Sequence, residues 1–348
     1  MPARSAIGLD IGTSGVRAAE VSYGRGGMTL EKFGQVALPE GAVRDGEVVD
    51  REAVVSQLKA LWKGSGFAGK KVALGVANQR VVVRQIDLPW MPLAELKASL
   101  PLQVQDYLPM PVDECVIDFH PTEELQDADG RRLRGLLVAA SREMVVNNVA
   151  AVEAAGLRVT SVDLTSFAVL RSVGKPHGEA ATEALVDIGA RVSNLVIHSA
   201  GQPRFVRVLL SGGQDVTDAI AERLGLPSPL AEAVKRGAVD DLTPNDLSLV
   251  QSAVDLMLEV FVDDIRSSLD YYAASNAGFP IERIVISGGG SLLAGVRERL
   301  ESVTRKPVVW ANPIEGLHLG RTGLDEQQLS TVQPLAAVPV GLALGVIS

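Results

Sequence analysis

The chain contains three short apolar runs that lead directly into glycine-containing turns. They occupy residues 7–15, 185–189 and 284–290. A short apolar run bounded by glycine is typical of a buried strand that ends in a tight turn. We therefore predict three buried strands, each followed by a turn where glycine permits close approach to the backbone.

Between these strands, apolar residues recur at helical spacing. The pattern over 54–62 predicts a helix that Asp50 can cap, and Ser141 can cap another. Two further helices are predicted over 216–224 and 246–274. Because strands alternate with helices along the chain, the sequence favours an α/β fold.

One segment interrupts this alternation. Six prolines lie between positions 89 and 121, and a polar turn follows at 126–130. Proline removes a backbone donor and ends helices. The segment is therefore predicted to be an inserted subdomain of different construction.

Composition limits the class of protein. A length of 348 residues predicts two or three domains, and the net charge of −9 argues against nucleic acid as a partner. Cys115 is the one cysteine, which suits a reducing cytoplasm. No signal peptide is recognised at the start, and the apolar tail at 335–347 is shorter than the roughly 20 residues that span a bilayer. We expect a cytoplasmic protein without a membrane span.

The chain carries a weak internal repeat. Residues 7–21 resemble residues 184–198, and Asp-Ile-Gly recurs at 10–12 and 187–189. Each copy predicts a hairpin whose glycine turn can offer backbone N–H groups to phosphate oxygens. The aspartate can then face a hydrated Mg²⁺, which uses one or two carboxylates. A single Asp-Ile-Gly indicates only a strand end with a turn, but two copies favour a triphosphate held from both sides.

A third element completes this picture. The strand over 284–287 opens onto Gly288, Gly289 and Gly290, and Ser291 can then start a helix. Such a turn can lie flat against adenine or ribose, where a side chain would clash. Taken alone, it is equally an ordinary turn between a strand and a helix.

The three elements resemble, in order and spacing, the phosphate-1, phosphate-2 and adenosine motifs of actin, the heat-shock chaperones, the sugar kinases and FtsA. The resemblance implies an actin-like fold of two duplicated mixed-sheet domains, flanked by helices, that close on Mg-ATP. Asp10 and Asp187 would hold Mg²⁺ through water. The nucleotide contacts implied are Asp10, Gly12, Thr13, Ser14, Arg17, Asp187, Gly189, Ala190, Arg191, Ser193, Asn194, Glu232, Lys235, Gly288, Gly289, Gly290 and Ser291.

Other segments indicate which family of this superfamily the chain resembles. Residues 211–221 and 231–237 are similar to segments of FtsA and of the type IV pilus assembly protein PilM. Residues 105–119 resemble the 1C subdomain of the PilM family, and 265–272 and 311–313 also match it. Glu232 and Lys235 either contact the adenosine or form a solvated ion pair three residues apart.

The resemblance to the PilM family implies a division of the chain. Domain 1A would comprise residues 1–78, 159–180 and 332–348. The inserted 1C subdomain would comprise 79–158, and domain 2 would comprise 181–331. The first hairpin then belongs to domain 1A, and the second hairpin and the adenosine motif belong to domain 2.

Two positions differ from the residues that are usual in the related proteins. Arg17 stands where lysine is common, which keeps the charge but changes its reach. Thr165 stands where a water-orienting glutamate is usual, and a hydroxyl is a poor base at neutral pH. Unless Asp163 substitutes for it, ATP hydrolysis should be at most slow. Whether the chain is an enzyme stays uncertain at this level.

The resemblance to the PilM family also implies a binding partner and a cellular location. The chain would be a cytoplasmic scaffold at the inner face of the plasma membrane, recruited by the N-terminal cytoplasmic tail of PilN. The tail would bind in a groove between subdomains 1A and 1C, whose residues the sequence does not identify. The chain could also self-associate. Two alternatives stay open: an FtsA-like filament protein of cell division, and a small-metabolite kinase of the same superfamily.

Overall fold

Strands and helices alternate through most of the chain. The computed structural model describes residues 4–127, 130–174, 182–276 and 278–347. The strands are β1 Arg4–Ile11, β2 Gly15–Gly24, β3 Gly27–Ala37, β4 Val43–Arg44, β5 Glu47–Val48, β6 Lys71–Val76, β7 Val82–Pro89, β8 Cys115–Asp127, β9 Gly130–Ser141, β10 Arg158–Leu164, β11 Thr182–Ile188, β12 Ser193–Ser199, β13 Gln202–Leu209, β14 Ile281–Ser287, β15 Val308–Trp310 and β16 His318–Leu319. The helices are α1 Arg51–Ser65, α2 Leu93–Gln103, α3 Arg142–Ala154, α4 Thr165–Val173, α5 Gly213–Leu224, α6 Ser228–Lys235, α7 Pro244–Ser275, α8 Val296–Thr304, α9 Glu326–Val332 and α10 Ala337–Ile347.

Two main sheets share one plan. The first has the strand order β10-β6-β1-β2-β3-β16, and the second has the order β13-β12-β11-β14-β15. In each sheet an antiparallel meander, β1-β2-β3 or β11-β12-β13, is joined by a strand parallel to its first member, β6 or β14. The predicted repeat is therefore a duplication of the whole sheet.

The four helices predicted from periodicity and caps form as α1, α3, α5 and α7. Asp50 caps α1 by accepting a hydrogen bond from the Ala53 amide, and Ser141 caps α3. The predicted helix at Ser291 is wrong, because a 3₁₀ turn occupies residues 289–292 and α8 begins only at Val296. The Ser291 hydroxyl donates instead to the Gly288 carbonyl at 2.7 Å, which closes that turn.

The proline-rich segment builds a third, smaller sheet with the order β7-β9-β8. Leu96 and Leu100 of α2 pack against Leu88 and Leu137 of this sheet and form a separate core. We propose that the boundaries expected for domains 1A, 1C and 2 hold. The boundary between 180 and 181 lies outside the described residues.

Two helices, α4 and α10, lie between the main sheets. Ala168 and Leu342 share a core with Ala73 of the first sheet and Leu185 of the second. The α10 backbone touches its neighbours directly: a Cβ at Gly341 would lie 1.8 Å from the Ala168 carbonyl oxygen. Small residues thus let α10 join the two halves of the molecule.

One helical run could cross a membrane by length and composition. In the described part of the chain it spans Gln327–Ile347, longer than the tail expected from the sequence, because α9 extends it toward the N-terminus. Half of it is buried inside the protein. Since core helices meet the same criteria, the packing of α10 between two sheets explains this hydrophobicity.

Candidate functional site

The first predicted hairpin places Asp10 at the end of β1. Its cross-strand partner in β2 is Arg17, whose Nη1 lies 3.7 Å from Asp10 Oδ2. Burial raises the pKa of Asp10 from 3.8 to about 6, Arg17 opposes this, and the charge of Asp187 adds to it. The charge of Asp187 acts on the pKa of Asp10, and the charge of Arg17 acts on the pKa of both carboxyl groups, so the two hairpins lie near each other.

The second hairpin repeats this arrangement. Asp187 ends β11, and its cross-strand partner is Asn194, which follows it by the same seven residues that separate Asp10 from Arg17. Burial raises the pKa of Asp187, while hydrogen bonds from Ser287 and Asn194 oppose the shift. The Ser287 hydroxyl donates to Asp187 Oδ1 at 2.8 Å. A cation thus faces the first aspartate, and an amide faces the second.

The turn of the second hairpin is held by the start of α5. The Gly189 carbonyl accepts from the Gly213 amide at 2.9 Å, and the Ala190 carbonyl accepts from the Gln214 amide at 2.7 Å. The turn of the first hairpin is closed by the Gly12 amide, which donates to the Gly15 carbonyl at 3.0 Å. Both turns therefore have defined shapes.

Lys235 and Glu232 join the second hairpin. Lys235 Nζ donates to the Gly213 carbonyl and to the Thr217 hydroxyl, both at 2.7 Å, and lies 2.5 Å from Glu232 Oε2. The ion pair three residues apart is therefore formed, and it is partly buried, since the Lys235 side chain is only 13% exposed. Burial lowers the pKa of Lys235. Contact of this pair with adenosine stays a prediction.

The triple glycine packs directly on the second hairpin. A Cβ at Gly288 would lie 2.3 Å from the Ile188 carbonyl oxygen, and one at Gly290 would lie 2.3 Å from Ile188 Cγ2. Gly288 also has a φ of +81°, which other residues rarely adopt. Close packing thus accounts for two of the glycines without a ligand. Gly289 is the exposed member of the three.

Several residues that the sequence assigns to the nucleotide have other partners. Arg191 forms ion pairs with Asp215, at 2.9 Å, and with Asp218 on α5. The fully buried Ser193 hydroxyl donates to the Ser211 carbonyl at 2.7 Å. These two side chains brace the second turn against α5. Thr13 is half-buried and Ser14 is exposed in the first turn.

The two candidate catalytic residues, Thr165 and Asp163, have different partners in the structure. Thr165 is buried and donates to Asn194 Oδ1 at 3.0 Å. It therefore contacts the cross-strand partner of Asp187. Asp163 forms an ion pair with Arg171 and lines a different cavity. Asp163 is therefore engaged by Arg171, and a catalytic role for it stays a prediction.

Sequence reasoning missed Ser166, Thr217 and Ser287. Ser166 donates to Asn194 Oδ1 at 2.9 Å, and Ser287 holds Asp187. Only the position of Ser287, immediately before the triple glycine, carries a signal. Once β11 and β14 are taken as parallel neighbours, Ser287 falls beside Asp187 in register.

A cavity of about 560 Å³ lies away from the hairpins, between the small sheet and the first main sheet. Its walls come from β8 and β9, from β10 and α4, and from the segment 201–203. Apolar walls are provided by Val116, Ile117, Val138, Val162, Phe167 and Leu170. Charged and polar groups are provided by Asp118, His120, Asp163 and Arg171.

Comparison with known families decides between the alternatives. The sequence model described as type IV pilus assembly protein PilM matches residues 8–346. The chain belongs to this PilM family. The resemblance found in the motifs is confirmed, and so is a role in type IV pilus assembly. This family is favoured over a division filament protein and over a metabolite kinase.

Solved structures agree with this assignment. The chain is similar to a chain of a "PilM-PilN type IV pilus biogenesis complex", with 29% identity, a TM-score of 0.86, and coverage of 99% of this chain and 98% of that chain. The ethanolamine utilization protein EutJ from Carboxydothermus hydrogenoformans shares the fold, with 15% identity, a TM-score of 0.59, and coverage of 99% and 90% of the two chains. The predicted actin-like fold of the PilM family is thereby confirmed.

The PilM family also has relatives in cell division. The chain is 20% identical to FtsA of Bacillus subtilis over 356 residues, covering 88% of this chain and 78% of that protein. It is 26% identical to FtsA of Pseudomonas aeruginosa over 348 residues, covering 87% and 81%. The similarity therefore extends along most of both proteins.

Proposed function

We propose that the chain is an ATP-binding scaffold of the type IV pilus assembly platform and binds the N-terminal cytoplasmic tail of PilN. The nucleotide proposal depends on Asp10 and Asp187, which occupy matching positions in the duplicated hairpins. Asp187 is buried, and the side chain of Asp10 is 14% exposed. Isolated buried carboxylates are costly without a compensating cation. Mg²⁺ suits them, because it binds through one or two carboxylates and keeps several waters.

Other groups around the aspartates fit a polyphosphate. Arg17 Nε is buried and has no hydrogen-bond partner within the described residues, so this guanidinium has donor capacity to spare. The turns at Gly12 and Gly189 lie on either side, and Lys235 adds a second cation near Gly213. Asp10 and Asp187 would hold Mg²⁺ through water, and the bound ion would neutralise phosphate charge.

We expect ATP turnover to be slow. Thr165 is already committed to Asn194, and Asp163 to Arg171, so neither is placed as a free base near the hairpins. Phosphate release after mixing with Mg-ATP should run well below the roughly 1 per second of slower ordinary enzymes. Asp163→Asn should leave that rate unchanged. A faster wild-type rate, or one abolished by Asp163→Asn, would contradict this assignment.

The cavity next to the small sheet is the proposed site for the PilN tail. The cavity is lined by residues of the predicted domain 1A and subdomain 1C and by residues 201–203 of the predicted domain 2, and it combines apolar walls with charged groups. Peptide sites of this kind take apolar side chains in the pocket, while polar groups set the orientation. In the similar solved complex, the partner of PilM is PilN.

A charge in the cavity wall tests this proposal. Val162 lines the cavity and is 38% exposed, so Val162→Glu should leave the fold intact while placing an unpaired charge against the bound tail. We expect the Kd of a fluorescent PilN tail peptide to rise about tenfold or more, equivalent to about 1.4 kcal/mol. Fluorescence anisotropy measures this change.

Val260→Glu is the matched control, because Val260 is 52% exposed on α7, which does not line the cavity. It should bind the peptide like the wild type. Equal peptide affinity in both variants would remove the cavity as the site. Mg-ATP affinity should be unchanged in both, which separates the peptide site from the nucleotide site.

We further propose that the chain lies at the inner face of the plasma membrane because PilN recruits it. Two arginines of β9 are already paired with acidic side chains, Arg131 with Glu124 and Arg134 with Asp87, so they are less available to anionic lipid. Flotation with vesicles that carry the PilN tail, compared with bare vesicles, tests this. Self-association stays a prediction, which light scattering with and without Mg-ATP would test.

A further inference from the structure

The helix α7 and the loop before it carry most of the excess negative charge of the chain. From position 240 to position 270, eight residues are acidic and one is basic, a net charge of −7 within a chain total of −9. The acidic residues are Asp240, Asp241, Asp246, Asp255, Glu259, Asp263, Asp264 and Asp270. All but Asp246 are exposed, so this charge faces solvent.

The solvent face of α7 also carries apolar side chains. Leu256 is 46% exposed, Val260 is 52% exposed and Tyr271 is 67% exposed, and Leu249 is partly buried. Successive members of this set are 7, 4 and 11 residues apart, close to whole numbers of helical turns. The four residues therefore lie along one side of the helix and form an apolar stripe.

An acidic stripe runs beside the apolar stripe. It consists of Asp255, Glu259, Asp263 and Asp270, which are 4, 4 and 7 residues apart. Glu259 lies 3.6 Å from Arg299, and Asp263 lies 3.4 Å from Arg266. Exposed pairs of this kind are weak, so both carboxylates can exchange partners at little cost. Asp270 has no ion pair within the described residues.

A groove of about 410 Å³ lies between α7 and α8. Gln251 and Asp255 of α7 line it, and so do Glu298 and Arg299 of α8 and the buried Leu258. The cavity next to the small sheet is lined by other residues, and α7 contributes none of them. The face of α7 is therefore a surface separate from that cavity.

We propose that the solvent face of α7 is a docking surface for a helix of a protein partner, and that this helix carries an apolar stripe flanked by Lys and Arg. Leu256 and Val260 would pack against the apolar side chains of the partner. The acidic stripe would face its Lys and Arg, as flanking charges select the partner of an apolar helix seam. The apolar stripe spans 22 residues from Leu249 to Tyr271, about 33 Å, which matches one partner helix of about 20 residues.

The charge of this surface argues against other occupants. Anionic lipid and nucleic acid carry the same sign of charge and would be repelled. A second copy that presented its own α7 would bring one acidic stripe close to another, and such contacts between like charges are unfavourable. A basic amphipathic helix satisfies both stripes at once.

A designed peptide tests the surface on the full chain. The probe is a fluorescent peptide of about 20 residues with leucine along one helical face and lysine beside it. Fluorescence anisotropy should give a Kd below about 100 μM at low salt, and the Kd should rise with added salt, because screening weakens the ionic contacts. A peptide of the same composition in scrambled order should bind at least about tenfold more weakly.

Two double variants test the two stripes separately. Leu256→Gln with Val260→Gln removes the exposed centre of the apolar stripe, and Glu259→Lys with Asp263→Lys reverses the centre of the acidic stripe. Each should raise the Kd of the probe about tenfold or more. Both should keep the wild-type Kd for Mg-AMPPNP and for the PilN tail, which separates this surface from the proposed function.

The matched control is Glu40→Lys with Glu153→Lys, which makes the same change of charge at exposed positions outside α7. It should leave the Kd of the probe within about twofold of the wild type. Equal effects of the two charge reversals would reduce the binding to general attraction and overturn the proposal. Equal binding of the scrambled peptide, or full binding by either α7 variant, would also overturn it.

The remaining outcomes concern the occupant. Dimerisation of the wild type that Leu256→Gln with Val260→Gln abolishes would make a second copy the occupant. Flotation with anionic vesicles that depends on the same residues would make lipid the occupant, and either result overturns the proposal. In cells, a photoreactive residue in place of Val260 should crosslink to a segment whose apolar stripe is flanked by Lys and Arg. Crosslinks only to segments without this pattern, or no crosslink, would overturn it.

Discussion

Replacing Asp10 with asparagine should weaken Mg-dependent ATP binding about 100-fold while making the ligand-free protein more stable. The loss follows because a carboxylate that orients a hydrated metal is typically worth 10- to 100-fold in affinity. Isothermal titration with Mg-AMPPNP measures it. Asp187→Asn should have a similar effect, and retained affinity in both variants would remove the site assignment.

The gain in stability follows from the pKa of Asp10. Folding raises this pKa from 3.8 to about 6, so the folded state holds the proton more tightly than the unfolded state. That contribution is fully present below pH 3.8 and is lost as the pH rises through 6. At pH 7.5 the charged Asp10 therefore costs stability, and asparagine removes about 1–3 kcal/mol of this cost, part of which is offset because Arg17 loses its partner.

Thermal melting at several pH values separates this mechanism from others. The advantage of Asp10→Asn over the wild type should be largest at pH 7.5 and should shrink toward pH 4. Asp240→Asn makes the same chemical change at an exposed position and should alter neither melting nor nucleotide affinity. A constant stability difference across the pH range would contradict the role assigned to burial.

Gly341→Ala should destabilise the fold by about 3 kcal/mol. The new Cβ would lie 1.8 Å from the carbonyl oxygen of Ala168, a backbone atom of α4 that cannot move aside without shifting the helix. Overpacking of a tight core typically costs 1–3 kcal/mol, and here it would separate α10 from α4. Urea unfolding followed by circular dichroism measures the change in the free energy of unfolding.

Gly345→Ala is the matched control on the same helix. Its nearest neighbours are guanidinium atoms of Arg171, the first at 2.7 Å, and a flexible side chain can move away. Because alanine favours helix by about 1 kcal/mol over glycine, this variant should be neutral or slightly stabilising. Equal effects of the two substitutions would show that helix propensity, and not the contact with Ala168, sets the result.

Local signals were enough to predict the hairpins and four of the helices, α1, α3, α5 and α7. Asp10 and Asp187 each stand at the end of an apolar run beside a glycine turn, so strand, turn and carboxylate are all encoded within a few neighbouring residues. The caps at Asp50 and Ser141 are likewise local. The start of α8 was missed because a 3₁₀ turn and a strand-to-helix turn share the same glycine and serine signals.

Contacts between distant segments were not accessible in this way. The sequence left Glu232 and Lys235 as either a solvated pair or a site element, and only the packing of α6 on α5 shows that Lys235 is bound to Gly213. Asp163 and Thr165 are two residues apart, yet one faces the cavity and the other Asn194. The difference arises because β10 ends at Leu164 and α4 begins at Thr165, so one residue belongs to a strand and the other to a helix.

By itself, the sequence determined the duplicated hairpins, the α/β fold, the inserted segment and the family, because these depend on periodicity, turn residues and motifs that repeat along the chain. The tertiary structure decided which polar groups meet. Arg17 faces Asp10, Asn194 joins Asp187 to Thr165 and Ser166, and α4 contacts both the hairpins and the cavity. Such contacts depend on the register and packing of elements that are far apart in sequence, and neither is encoded in any single segment.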